Sequence, residues 1–270
     1  MRRFTKIYRP KDICCTTALK NVGSAKGTSW DRAVGGSKGY LIDANELIIY
    51  EDNHLLVMFK PPTVLSQGDK GGDDSLLDAA KRYLVESKNK QGDAFLGMVH
   101  RLDRPCSGVI AFAKTSKAAM RLSEALRERD TDMKKDYICV VNGIVERGGK
   151  CEHWLAVDNK MNRTKTEVFN NINDPGVQPG QKLLQARLEY FPLLHIRKDS
   201  IYGNSMTLIR IELETGRKHQ IRAQMSHIGH PVVGDSKYGS TQKMRDLALH
   251  SHMLEFPHPT QVTNSLASII

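Results

Sequence analysis

From Leu47 onward the chain alternates between short apolar runs and polar turns, the mark of strands joined by tight connections. Residues 47–50 and 55–59 read as two strands around the polar turn 51–54. Lys60-Pro61-Pro62 ends the second, because proline has no N–H to give a ladder. Residues 75–86 predict a helix, with Asp73, Asp74 and Ser75 as caps and Leu76, Leu77, Ala80 and Leu84 along one face. The run 109–113 is a short buried strand. A second helix opens at Ser116 with Ala119, Leu122 and Leu126 inward and Arg121, Glu124, Arg127 and Glu128 outward. Strands follow at 137–141, around 184–191 and over 206–213, and residues 220–227 form a helix stopped by Gly229 and Pro231. Asn- and Pro-rich 170–180 is a loop, and 197–205 is a polar connection. Strands dominate and helices are segregated, so the class is α+β.

Composition narrows this picture. The chain has 270 residues, enough for one large domain or two small ones. No apolar run approaches the ~20 residues that span a bilayer, so no membrane partner is expected. The formal charge is +10, but residues 1–40 hold nine Lys/Arg against two acids, a net +7, and leave only +3 for the rest. The main domain is therefore not broadly basic, and nucleic-acid binding there must come from local patches. Five cysteines, an odd number with Cys14 and Cys15 adjacent and no C-x-x-C, point to a reducing compartment rather than a disulfide framework. The pairs His227/His230 and His250/His252 lack the further ligands that a tetrahedral metal needs, so no metal is expected.

Residues 1–12 are basic and acid-poor until Asp12. They favour a mitochondrial presequence over a basic arm touching RNA phosphates in a cytoplasmic or nuclear protein. Glycine- and serine-rich 20–40 reads as flexible extension. The expected plan is an extension over 1–43, a catalytic domain over 44–260 and a short tail over 261–270.

The candidate chemistry lies in two segments. His100-Arg101-Leu102-Asp103-Arg104 sets one carboxylate among cations, which favour its ionised form; such a held carboxylate can act as a nucleophile. Alternating charge on a solvated loop would look the same. The second segment, Thr215-Gly216-Arg217-Lys218-His219-Gln220-Ile221-Arg222, lies more than 100 positions downstream. With Lys135-Asp136-Tyr137 between them and Gly229-His230-Pro231 through Gly234-Asp235 to Tyr238-Gly239 after, the ordered set resembles the RluA-type pseudouridine synthases, from about Leu47 to Pro259. The family pattern has Asn where this chain has Phe59, and the first 40 residues are too short and glycine-rich for an accessory S4 RNA-binding module.

The resemblance implies a central, mainly antiparallel sheet flanked by helices, with a catalytic cleft. It implies isomerisation of uridines in structured RNA, rRNA or tRNA, with no cofactor; no phosphate loop or dinucleotide glycine pattern is present. Asp103 would be the catalytic carboxylate, Arg222 its paired cation, and Tyr137 the ring that stacks on the flipped uracil. Arg101 would fill the gap left by the base, Ile221 would wall it, and Arg217 and His219 would touch phosphates or order their loop. Read singly, Arg222 is a surface arginine, Tyr137 a core aromatic and Ile221 a core isoleucine. Lys60, Lys134 and Lys135 are phosphate candidates of the weakest kind. Gly229, Gly234, Gly239 and Asp235 read as structural, with Asp235 capping backbone amides. The competing reading is a catalytically silent RNA-binding factor of the same fold, engaged with ribosomal assembly intermediates. The domain is expected to be monomeric.

Overall fold

The computed structural model describes residues 5–7, 42–69, 71–87, 89, 92–127, 133–158, 165–197, 204–260 and 266–269. Most of the basic N-terminal segment, with Cys14 and Cys15, and the tip of the 197–205 connection lie outside the described residues. By internal packing the chain divides into two compact units, Met1–Met133 with Met253–Ile270, and Lys134–His252. The span 44–260, expected as one catalytic domain, thus contains residues of both.

The first unit is built on β2 (Ile48–Glu51), β3 (Leu55–Lys60), β5 (Ser107–Ala113) and the end of β11 (Leu249–Pro257), in that order. The ladders β2–β3 and β3–β5 are antiparallel, and the two-residue β4 (Gly97–Met98) adds to β5 in the same sense. Every residue of β3 is buried, and its period of two explains why. Leu56 and Met58 share one core with Ile110 and Phe112 of β5 and with Leu76, Ala79, Ala80 and Leu84 of α1 (Leu76–Ser87). Leu55 and Val57 share the other with Val109, Ala111 and Ala113, with Leu254 and Phe256 of β11, and with Ala118 and Leu122 of α2 (Ser116–Arg127). A strand covered on both faces has no reason to alternate, so it reads as a continuous apolar run.

Both helices carry side-chain caps. The Ser75 hydroxyl accepts the Asp78 N–H (3.2 Å) as an N-cap and donates to the Asp78 carboxylate (2.6 Å). On α2 the cap is Thr115, whose hydroxyl accepts the Ala118 N–H, rather than the expected Ser116. Asp74, expected as a cap, instead accepts the Ile42 N–H and pairs with Arg82. Strands also occupy parts of the expected extension and tail: β1 (Thr5–Ile7) runs parallel to β12 (Leu266–Ile269), which is antiparallel to β11.

The second unit is an antiparallel sheet in the order β6 (Lys134–Asn142), β10 (Met206–Leu213), β9 (Leu184–Ile196), β7 (Gly149–Asp158), β8 (Lys165–Phe169). The short α3 (Gln220–His227) packs on β7 and β8. The segment after it returns beside β6: the Asn142 N–H donates to the Pro231 carbonyl and the Val233 N–H to the Val140 carbonyl. Of these strands, β7 and β8 were not anticipated.

Candidate active site

In the first unit Asp103 stands at the head of a tight turn closed by the Cys106 N–H on its carbonyl (3.0 Å). The turn is anchored on both sides. Ser66 exchanges two hydrogen bonds with the backbone of Leu102, and the His100 Nε2 accepts the Ala111 N–H of β5. Arg104 is turned outward to the Thr63 carbonyl and Asp73. Arg101 is exposed and Asp103 half-buried.

Beneath the turn lies Lys60, 0 % exposed. Its ammonium donates to the carbonyls of Pro61, Val64 and Arg104 at 2.8–3.0 Å, so all three N–H groups are accounted for. Burial pushes it down to about 8, opposed by the charges of Cys106 and Asp103 and assisted by that of Arg104. Expected among exposed phosphate candidates, Lys60 instead pins the Asp103 turn from inside.

In the second unit Tyr137 sits on β6 opposite Ile211 of β10, 8 % exposed. Its neighbour Asp136 faces Arg210 (3.0 Å), which lies over the Phe191 ring. The Lys135 ammonium is pushed down by burial and by Arg217.

The T-G-R-x-H-Q-I-R segment forms the entry to α3. Gln220 organises it: its side-chain oxygen accepts from the Thr215 hydroxyl (2.8 Å) and the Arg217 N–H (3.0 Å), and its amide donates to the Arg187 carbonyl. Arg217 is exposed, with Nε on the Gln185 carbonyl. His219 adopts a left-handed conformation (φ 52°) and directs Nδ1 to the Tyr238 hydroxyl at 2.9 Å. That hydroxyl also accepts the Thr166 N–H of β8. Ile221 is buried at 5 %.

Arg222 is 6 % exposed. Its Nε and Nη2 grip both oxygens of Asp235 (2.6 and 2.9 Å), and its guanidinium stands 5.1 Å from the Tyr238 ring centroid. Asp235 was expected to cap backbone amides. It makes no side-chain cap to the 3-10 turn Ser236–Tyr238 and instead holds Arg222. An arginine predicted from sequence was thus found with a partner the sequence reading had classed as structural. Among the described residues no group of three or more His, Cys, Asp or Glu is placed to hold a metal, and no helix is long and apolar enough to cross a membrane.

These anchored segments coincide with a known family. The model described as RNA pseudouridylate synthase matches residues 54–227, more than half of the chain. The chain belongs to that family.

Among its relatives, the ribosomal large subunit pseudouridine synthase D of Yersinia pestis is 34 % identical over 228 residues. The match covers 78 % of this chain and 63 % of that protein. The tRNA pseudouridine synthase C of Haemophilus ducreyi is 30 % identical, covering 78 % and 85 %. The chain thus spans under two thirds of the length of the first relative. Human RNA pseudouridylate synthase domain containing 1 shares the fold, with a TM-score of 0.62 at 21 % identity over 82 % of this chain and 80 % of that one. The expected RluA-type pseudouridine synthase membership and α+β fold both hold. Within this family frame, the residues the sequence reading missed are those that hold others: Lys60 under the Asp103 turn, Gln220 under the α3 entry, and Asp235 behind Arg222.

Proposed function

We propose that this protein isomerises uridine to pseudouridine in structured RNA, rRNA or tRNA. The observation that carries the reading is Asp103: a carboxylate on a turn locked by Ser66, His100 and the buried Lys60, within the segment that the family model matches.

The reaction breaks the N1–C1′ bond of uridine and joins C5 to C1′; N1 gains a proton and C5 loses one. No redox change occurs. The target nucleotide must leave its stack before any side chain can reach C1′ or C6. Asp103 supplies the carboxylate that engages the nucleotide. Tyr137 offers its ring to the extruded uracil, where stacking contributes ~1–3 kcal/mol. Arg222 supplies a permanently protonated guanidinium whose donors are fixed in direction. Exposed Arg101 supports the duplex that the base has left, Ile221 contributes apolar surface, and Arg217 orders the α3 entry and faces phosphates. His219, tied to Tyr238, shapes that entry.

Tritium release from RNA labelled at uracil C5 tests the reading, because the C5 proton is lost on rejoining. The wild-type chain should release tritium, and Asp103→Asn should reduce release to background while still binding RNA. Equal release by both overturns Asp103 as the catalytic carboxylate. Tight RNA binding without release by the wild type on any RNA would favour the RNA-binding role in ribosome assembly. We further propose import into mitochondria, supported by the basic, acid-poor first 12 residues.

A further inference from the structure

We infer that Asp235 is a positioning residue of the reaction, acting through Arg222. The inference rests on the isomerase reading above and extends it to a residue outside the three catalytic candidates.

An arginine projecting from a helix has several rotatable bonds and about 2 kcal/mol of rotamer entropy, so a helix alone does not aim its guanidinium. Here the plane is set by two parallel hydrogen bonds, 2.6 and 2.9 Å, from Nε and Nη2 to the two Asp235 oxygens. The Tyr238 ring lies close to the same group. Asp235 is 2 % exposed, so the pair is poorly screened.

Asp235 is itself immobilised. Its N–H donates to the Val232 carbonyl, and its own carbonyl accepts the N–H groups of Tyr238 and Ser240. With its charge largely balanced by Asp235, Arg222 acts as an oriented donor more than as a source of positive potential. A buried ion pair is weak grounds for stability, since well-packed apolar side chains of the same volume often do as well. The pair makes sense where a buried, aimed guanidinium is needed.

The test uses the full chain with single-turnover tritium release and RNA binding measured side by side. Asp235→Asn keeps the shape and removes the charge that fixes Arg222. We expect release to slow by about 100-fold, as for a reacting group displaced by about 1 Å, with RNA affinity within threefold of wild type. Asp235→Glu, which restores the carboxylate one methylene further out, should fall between the two. In an Arg222→Lys background Asp235→Asn should add less than threefold, because the residue it acts through is already lost.

Wild-type release rates in folded Asp235→Asn overturn the inference. So do equal losses in rate and affinity, or a full additional loss in the Arg222→Lys background. If Asp235→Asn does not fold, Asp235→Glu decides: an unchanged rate overturns the inference and a slowed rate at unchanged affinity supports it. Absence of release by the wild type from every RNA overturns the isomerase reading and this inference with it.

Discussion

At Lys60 a positive charge sits with no exposed surface, held by three carbonyls, one of them in the turn that carries Asp103. Its lowered value, about 8 against 10.5 for a free lysine, fixes the sign of a pH effect. Below pH 8 both folded and unfolded chains carry the proton, and the penalty of a buried ammonium is fully present. Between about 8 and 10.5 the folded chain sheds the proton while the unfolded chain keeps it, so stability rises with pH in that window. Chemical denaturation across pH 7 to 10.5 should show this rise in wild type and lose it in Lys60→Met. Asp103 stands out as a candidate at this scale because its neighbours in sequence are unusual. Lys60 and Asp235 do not, since a lysine before two prolines and an aspartate after a glycine are common on surfaces.

At the scale of elements, alternation served well where a strand had a face of its own or was buried on both sides. The strands β2, β3, β5, β6 and β10 and the three α-helices among the described residues fall within a few residues of expectation. The strand β7 escaped because its burial is irregular, Gly149–Asp158 mixing exposed, half-buried and buried positions without a period of two, and β8 because it has only five residues. Their place comes from pairing with β9 and from α3 packing on them, neither of which leaves a local mark. The turn after Pro231 was read correctly as glycine-dependent. Gly234 has φ +84°, and a Cβ there would lie 2.5 Å from the Asp246 carbonyl oxygen; Gly239 has φ +89° with nothing within 4 Å. Gly239→Ala should therefore lower stability by about 1–2 kcal/mol, the strain of a left-handed residue. Gly234→Ala should lower it by more, because the backbone must also move. Equal melting temperatures for the two variants would contradict the close contact.

For the whole molecule, charge is distributed unevenly: +7 in residues 1–40 and +3 in the remaining 230. If the first segment serves import, its cations do not act on RNA. Replacing its nine Lys/Arg by Gln should leave the salt dependence of RNA binding unchanged and hold the protein outside mitochondria in fractionated cells. A fall of several units in the slope of log affinity against log salt, at roughly 0.7 per charge on single strands, would instead make the segment an RNA-binding arm. The division into Met1–Met133 with Met253–Ile270 and Lys134–His252 was not legible. It depends on which strands pair, and the residues of β11 are shared between the two units.

The sequence by itself determined the α+β class, the family and the chemical candidates. Periodicity and ordered motifs are local properties, and they survive without coordinates. Only the tertiary structure decided what holds those candidates: the carbonyl cage of Lys60 spans 44 residues to Arg104, and Arg222 finds its carboxylate 13 residues on, past the end of its helix. Such partners are chosen by chain path and burial, because a charge removed from water must be met by whatever group the fold brings beside it.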